Sequence, residues 1–165
     1  MKRECSGFTV IELITVIVIF AILATLSISN FLSSRPRYEL REAASDILSM
    51  LQNARLRAVK ENRRVVVLFD PDGNGRLEGE YIAFVDNGNG GAGEWTRQIG
   101  AGEPLVACGK LPAGVRISRT SFAHGHLRFD SRGHLMDINR NIYLESTNGQ
   151  NRKITVYASG NCRVN

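Results

Sequence analysis

The chain has 165 residues, 43% of them hydrophobic, and a formal net charge of +5. That length fits one domain plus an anchor, and it leaves enough chain outside the anchor for a real core, which excludes a small scaffold dependent on metal or disulfide staples. The basic excess is mild: it permits an anionic partner without demanding one.

Residues 1–7 are short and mostly polar, with Lys2, Arg3 and Glu4, and they end in the small pair Ser6-Gly7. An apolar run follows, and residues 8–34 are expected to form a transmembrane or fibre-core helix. From Leu13 to Ser34 there are 22 positions without a charge. At about 1.5 Å per residue these make a helix of ~33 Å, enough to cross a hydrocarbon core. One acid, Glu12, stands at the start of the run. A carboxylate in an apolar medium costs about 2.5–3.5 kcal/mol on insertion scales, so it is expected to have a partner or a function. A secretory signal places its small-residue cleavage site after the apolar region. Here the small pair comes before it, so cleavage at Gly7 leaves the helix on the mature chain.

The stretch Gly7-Phe8-Thr9-Val10-Ile11-Glu12-Leu13 resembles the processing site of type IV prepilins and type II secretion pseudopilins. The resemblance implies cleavage between Gly7 and Phe8 by an inner-membrane prepilin peptidase, N-methylation of Phe8, and pairing of Glu12 with the amino group of a neighbouring subunit. Before assembly the helix would lie in inner-membrane lipid as a single pass, with the C-terminal domain in the periplasm. Lys2 and Arg3 precede the helix while Arg35, Arg37 and Arg41 follow it, so loop charge does not orient it and the resemblance alone does. The other reading of the segment is an ordinary signal anchor carrying a stray acid.

The next segment, 35–62, is amphipathic. Leu40, Ala43, Ala44, Ile47, Leu48, Leu51, Ala54, Ala58 and Val59 recur at helical spacing, with Arg41, Glu42, Asp46, Arg55, Arg57, Lys60 and Glu61 between them. Pro36 joins the two halves, and proline inside a helix kinks or breaks it. One long bent helix is expected, with a clean break at Pro36 as the alternative.

From residue 63 the period changes to strands: 65–69, 81–85, 104–108, 115–118, 126–129, 142–144 and 153–157, separated by Asp72-Gly73, Asn87-Gly88, Pro112-Ala113-Gly114, Arg132-Gly133 and Asn148-Gly149. Strands joined by turns predict antiparallel meanders, and the order gives an α+β fold: a long N-terminal helix packed on an antiparallel β-sheet domain at 63–165. Here the chain is similar to the GspH/FimT family of minor pilins, through Asn53-Ala54-Arg55-Leu56-Arg57-Ala58, the strand Arg64-Val65-Val66-Val67-Leu68, the strand and loop Tyr81–Gly90, and Phe129-Asp130-Ser131-Arg132-Gly133. The resemblance implies a minor pilin or pseudopilin that packs its helix against other pilins in a type IV pilus or a type II secretion pseudopilus.

Other motifs bear on ligands. Cys5 lies in the leader, leaving Cys108 and Cys162 as an even pair; a disulfide between them is expected in an oxidising compartment, the alternative being two buried thiols. Asp70, Asp72, Asn74, Arg76 and Glu78 follow the spacing of a calcium loop, but Tyr81 stands where a bidentate Glu is needed and strands flank it, so a solvated hairpin loop is favoured and no metal or cofactor is expected. Gly88-Asn89-Gly90-Gly91-Ala92-Gly93 lacks the following helix of a dinucleotide site. His124 and His126 do not complete a zinc site. No nucleophile or metalloprotease motif is present, so no enzyme is expected. FimT-type members that capture DNA carry a Gly-Arg-x-Arg stretch; this chain has Gly160-Asn161-Cys162-Arg163, which leaves Arg152, Lys153 and Arg163 as a weak basic edge for DNA.

Overall fold

The structure is a computed structural model that describes residues 9–69, 80–88, 103–122, 125–136 and 138–165, with the backbone alone described for 26–33. Helix α1 runs Val10–Glu61 with Pro36 inside it. Eight strands follow: β1 Arg64–Leu68, β2 Glu80–Asp86, β3 Leu105–Lys110, β4 Val115–Thr120, β5 His126–Phe129, β6 Arg140–Ser146, β7 Asn151–Val156 and β8 Cys162–Val164. Two compact units divide between Arg35 and Pro36.

In the first unit Thr9 stands immediately before α1. Its Oγ1 accepts the Glu12 N–H at 3.3 Å and its carbonyl accepts the Leu13 N–H at 3.2 Å. Thr9 is thus an N-cap, and Thr9-Val10-Ile11-Glu12 has the spacing of a capping box.

In the second unit the end of α1 closes with a Schellman arrangement. Asn62, at φ 50°, donates to the Val59 carbonyl, and Arg63 donates to that of Ala58. The strands form two antiparallel sheets, in the orders β3-β2-β1-β5 and β4-β6-β7-β8. Alternation along each strand sends one set of side chains inward. Val65, Val67 and Phe129 from the first sheet, and Ile142, Leu144, Ile154 and Val156 from the second, meet Leu40, Ala43, Ala44, Ile47, Leu51, Ala54 and Ala58 of α1 in one buried cluster. The small residues Ala43, Ala44, Ala54 and Ala58 let the sheets approach the helix closely.

Two elements depart from expectation. Val59 is 51% exposed rather than in the core, whereas Met50, which the periodicity passed over, is buried. Strand β8 follows a tight turn and adds to β7 through Ile154↔Val164 and Val156↔Cys162; three residues with one arginine are too short to show a period.

Arg55 ties the elements together. Its Nε donates to the Gly133 carbonyl at 3.0 Å and its Nη1 to Asn161 Oδ1 at 2.9 Å, so one side chain of α1 holds the turns after β5 and β7. Gly133 and Gly160 both have positive φ, and a Cβ on Gly160 would run into the Gly133 carbonyl, so the two turns stack where only glycine fits. Asp130 builds the first of these turns by accepting the N–H groups of Arg132 at 2.9 Å and His134 at 2.7 Å on Oδ1.

Candidate functional site

Two surfaces carry residues singled out in the sequence. The first is the N-terminal stretch of α1. Gly7 and Phe8 lie outside the described residues, as do the calcium-loop residues Asp70, Asp72, Asn74, Arg76 and Glu78. Glu12 is described, in the first helical turn and exposed. A carboxylate there is favoured by the positive end of the helix dipole. Around it the apolar side chains are bare on every side: Val10 75% exposed, Leu13 57%, Ile17 58%, Phe20 68% and Leu23 55%. The hydroxyls in this stretch turn back on the helix, Thr15 to the Ile11 carbonyl at 2.8 Å and Thr25 to that of Ile22 at 2.7 Å, so neither needs an outside partner. A helix apolar all round must be covered by lipid or by other helices, and Glu12 is the one charge in Val10–Thr25. Among the described residues no helix is long and apolar enough to cross a membrane.

The second surface is the outer face of the second sheet. Arg116 and Glu145 pair across β4 and β6 at 2.9 Å. Ser118 is an extra residue in β4: the register shifts between Ile117 and Arg119, so Arg119 faces Tyr143 instead of the core. Its guanidinium carbon lies 4.7 Å from the Tyr143 ring centroid. Lys153 is opposite Tyr143 on β7, and Arg163 is opposite Thr155 on β8. Of the three residues read as a basic edge, Lys153 and Arg163 therefore share this face. Arg152, opposite Leu144, has the other parity and reaches the face only from its rim. Sequence reasoning missed Arg119 and Tyr143, because plain alternation turns Arg119 inward and only the bulge reverses it.

The expected disulfide is not formed. Cys108 is a free, exposed thiol on β3, the edge of the first sheet, and Cys162 is a free, half-buried thiol on β8, the edge of the second. Edge strands of two different sheets hold them, and Cys162 packs its sulfur on the core beside the Gly160 carbonyl. Burial pushes the Cys162 thiol up to about 11, with Arg55 opposing the shift. Tyr81 lies over Gly109 on β3, where a Cβ would overlap its ring, and burial next to Asp46 and Cys108 raises its phenol. Of the histidines, His126 is on β5 and His134 is exposed, while His124 lies outside the described residues. Among the described residues no cluster of three metal-ligating side chains occurs.

The type II transport protein GspH family matches residues 43–160, and a prokaryotic N-terminal methylation motif matches residues 2–28. Type II secretion system core protein G of Aeromonas hydrophila is 43% identical over 53 residues, 32% of this chain and 36% of that protein. The same protein of Dickeya chrysanthemi is 36% identical over 50 residues, 30% of this chain and 33% of that one. The chain thus matches about a third of the length of these curated relatives. The fold resembles that of the type IV minor pilin FimU of Pseudomonas aeruginosa, with a TM-score of 0.58, 19% identity, and coverage of 78% of this chain and 90% of that one. It also resembles the minor pseudopilin EpsH of Vibrio cholerae, with a TM-score of 0.55, 13% identity, and coverage of 77% and 96%.

Proposed function

Since the chain belongs to the GspH family of type II transport proteins, we propose that it is a minor pseudopilin of a type II secretion system, cut by prepilin peptidase between Gly7 and Phe8. It waits in the inner membrane as a single-pass protein with residues 36–165 in the periplasm, and it enters the pseudopilus through its N-terminal helix. The observation that carries this reading is the first stretch of α1, apolar and exposed all round, with one carboxylate in its first turn, inside the span of a methylation motif. Both curated relatives belong to type II secretion, which favours a pseudopilus over a pilus.

Glu12 has two tasks in this mechanism. Its position at the helix N-terminus favours a well-formed first turn directly after the scissile bond. In the fibre its carboxylate meets the ammonium or methylammonium of a neighbouring subunit's Phe8. Burying either charge alone costs several kcal/mol, and the pair offsets this only when close and aligned. A subunit at the wrong axial position keeps a bare buried charge, so the pair sets the register.

The test is one comparison of three chains. Gly7→Ala should accumulate as full-length precursor in the membrane. Glu12→Gln should be cut at Phe8 and stay in the membrane, yet be depleted from sheared pseudopili relative to the membrane pool. A mature chain starting anywhere but Phe8 would refute the processing step, and wild-type recovery of Glu12→Gln in fibres would refute the register role.

A further inference from the structure

We propose that the outer face of the second sheet docks an acidic segment of a partner protein, whose carboxylates are received by Arg119, Lys153 and Arg163. This goes beyond the pseudopilin reading and is tested apart from it, since the assay needs no fibre.

The face is organised in rows by the sheet register. One row is Arg119, Tyr143 and Lys153, continued by Asn165, which exchanges backbone hydrogen bonds of 3.1 and 2.8 Å with Lys153. The next row is Asn141, Thr155 and Arg163. Strands about 4.8 Å apart put Arg119 and Lys153 ~10 Å from each other, with Arg163 one step along and one strand over. Arg119 and Lys153 line an open groove of about 680 Å³, with Arg163 outside it on the neighbouring strand. The acid on this face is Glu145, and Arg116 already holds it: Nε and Nη2 both donate to Oε2, at 3.2 and 2.9 Å. That pair is a built example of the chemistry inferred. Among the described residues Arg119, Lys153 and Arg163 have no such carboxylate.

Arg119 is also prepared for one. Seated over the Tyr143 ring, its guanidinium loses little freedom on binding and keeps its N–H fork for a two-point contact with a carboxylate. The same stacking argues against nucleic acid. It occupies the aromatic face that a base would need. Arg119, Lys153 and Arg163, with Arg152 at the rim, are also fewer than the ~6–10 phosphate contacts of a strongly salt-dependent duplex binder.

The test uses the full chain in detergent, with fluorescein-labelled octaglutamate as the probe, octaglutamine as the neutral control, and anisotropy as the readout. Saturable binding of octaglutamate alone is expected at about 50 mM salt, where screening is modest. Arg119→Glu and Lys153→Glu should each weaken it about tenfold or more. Arg57→Glu makes the same charge change on α1, away from the face, and should alter affinity less than about twofold. Arg119→Lys keeps the charge but loses the fork and should weaken binding about threefold. Circular dichroism checks the fold, and Lys153→Gln replaces any variant that unfolds. The proposal is overturned if octaglutamate does not saturate or if Arg57→Glu weakens binding as much as Arg119→Glu. It is also overturned if a short duplex DNA at equal charge outcompetes the peptide and loses affinity in the same variants.

Discussion

At the residue scale the two cysteines show how much placement changes one chemical group. Cys108 faces solvent on an edge strand, whereas Cys162 is half-buried against the core with its thiol pushed up to about 11. Thiolate is the reactive form, so alkylation at pH 8 without reductant should modify Cys108 well before Cys162. Mass spectrometry of tryptic peptides over a time course checks this, and resistance of both sites until reductant is added would mean a bridge. The shift also predicts a pH dependence. The folded value lies above the ordinary 9.0, so the unfolded chain loses this proton first. The contribution of the neutral thiol is therefore fully present below pH 9 and is lost as pH rises through about 11. Denaturation midpoints of wild type and Cys162→Ala, compared across that window, should differ in slope.

At the element scale the turn after β5 is a short device with large leverage. Asp130 Oδ1 takes two backbone N–H groups, Gly133 allows the positive φ, and the resulting carbonyl receives Arg55. Within Phe129-Asp130-Ser131-Arg132-Gly133, Asp130 and Gly133 thus serve a structural purpose, one building the turn and the other seating it on α1. Asp130→Ala leaves both donors without their acceptor. It should lower stability by about 1–3 kcal/mol, while Asp130→Asn, which keeps an oxygen acceptor, should recover part of the loss. Urea unfolding of the purified protein measures both. An unchanged midpoint in Asp130→Ala would mean that water replaces the carboxylate at no cost.

For the whole molecule, burial separates two jobs along a single helix. Beyond Pro36 the residues Leu40, Ala43, Ala44, Ile47, Leu51, Ala54 and Ala58 are spent on the sheets, with Ile47 and Leu51 fully buried. From Val10 to Leu23 the apolar side chains are bare, with Ile17 58% exposed. Ile47→Ala should therefore cost about 2–5 kcal/mol through the cavity it leaves. Ile17→Ala should move the unfolding midpoint in detergent by less than about 0.5 kcal/mol and reduce recovery in pseudopili instead. If both variants changed stability equally, the two units would not be independent in this respect.

Much of this was determined by the sequence alone, because the signals are local. The acid at the head of a charge-free run, the 3.6-residue period of Leu40 to Ala58, and glycines at Gly88, Gly133 and Gly149, all now found at positive φ, depend on neighbours a few positions away. What only the tertiary structure decided is long-range. Seven strands were legible, but their division into two sheets depends on pairings such as Val65 with Phe129, 64 positions apart, which no local pattern encodes. The count of cysteines suggested a bridge, and the sheet order placed the two on separate edges. Alternation assigned Arg119 inward, and a single extra residue in β4 turned it out beside Tyr143 and Lys153. Periodicity states which residues share a face of their own element. Which faces meet, and which charges end up side by side, is set by burial of the whole apolar surface at once.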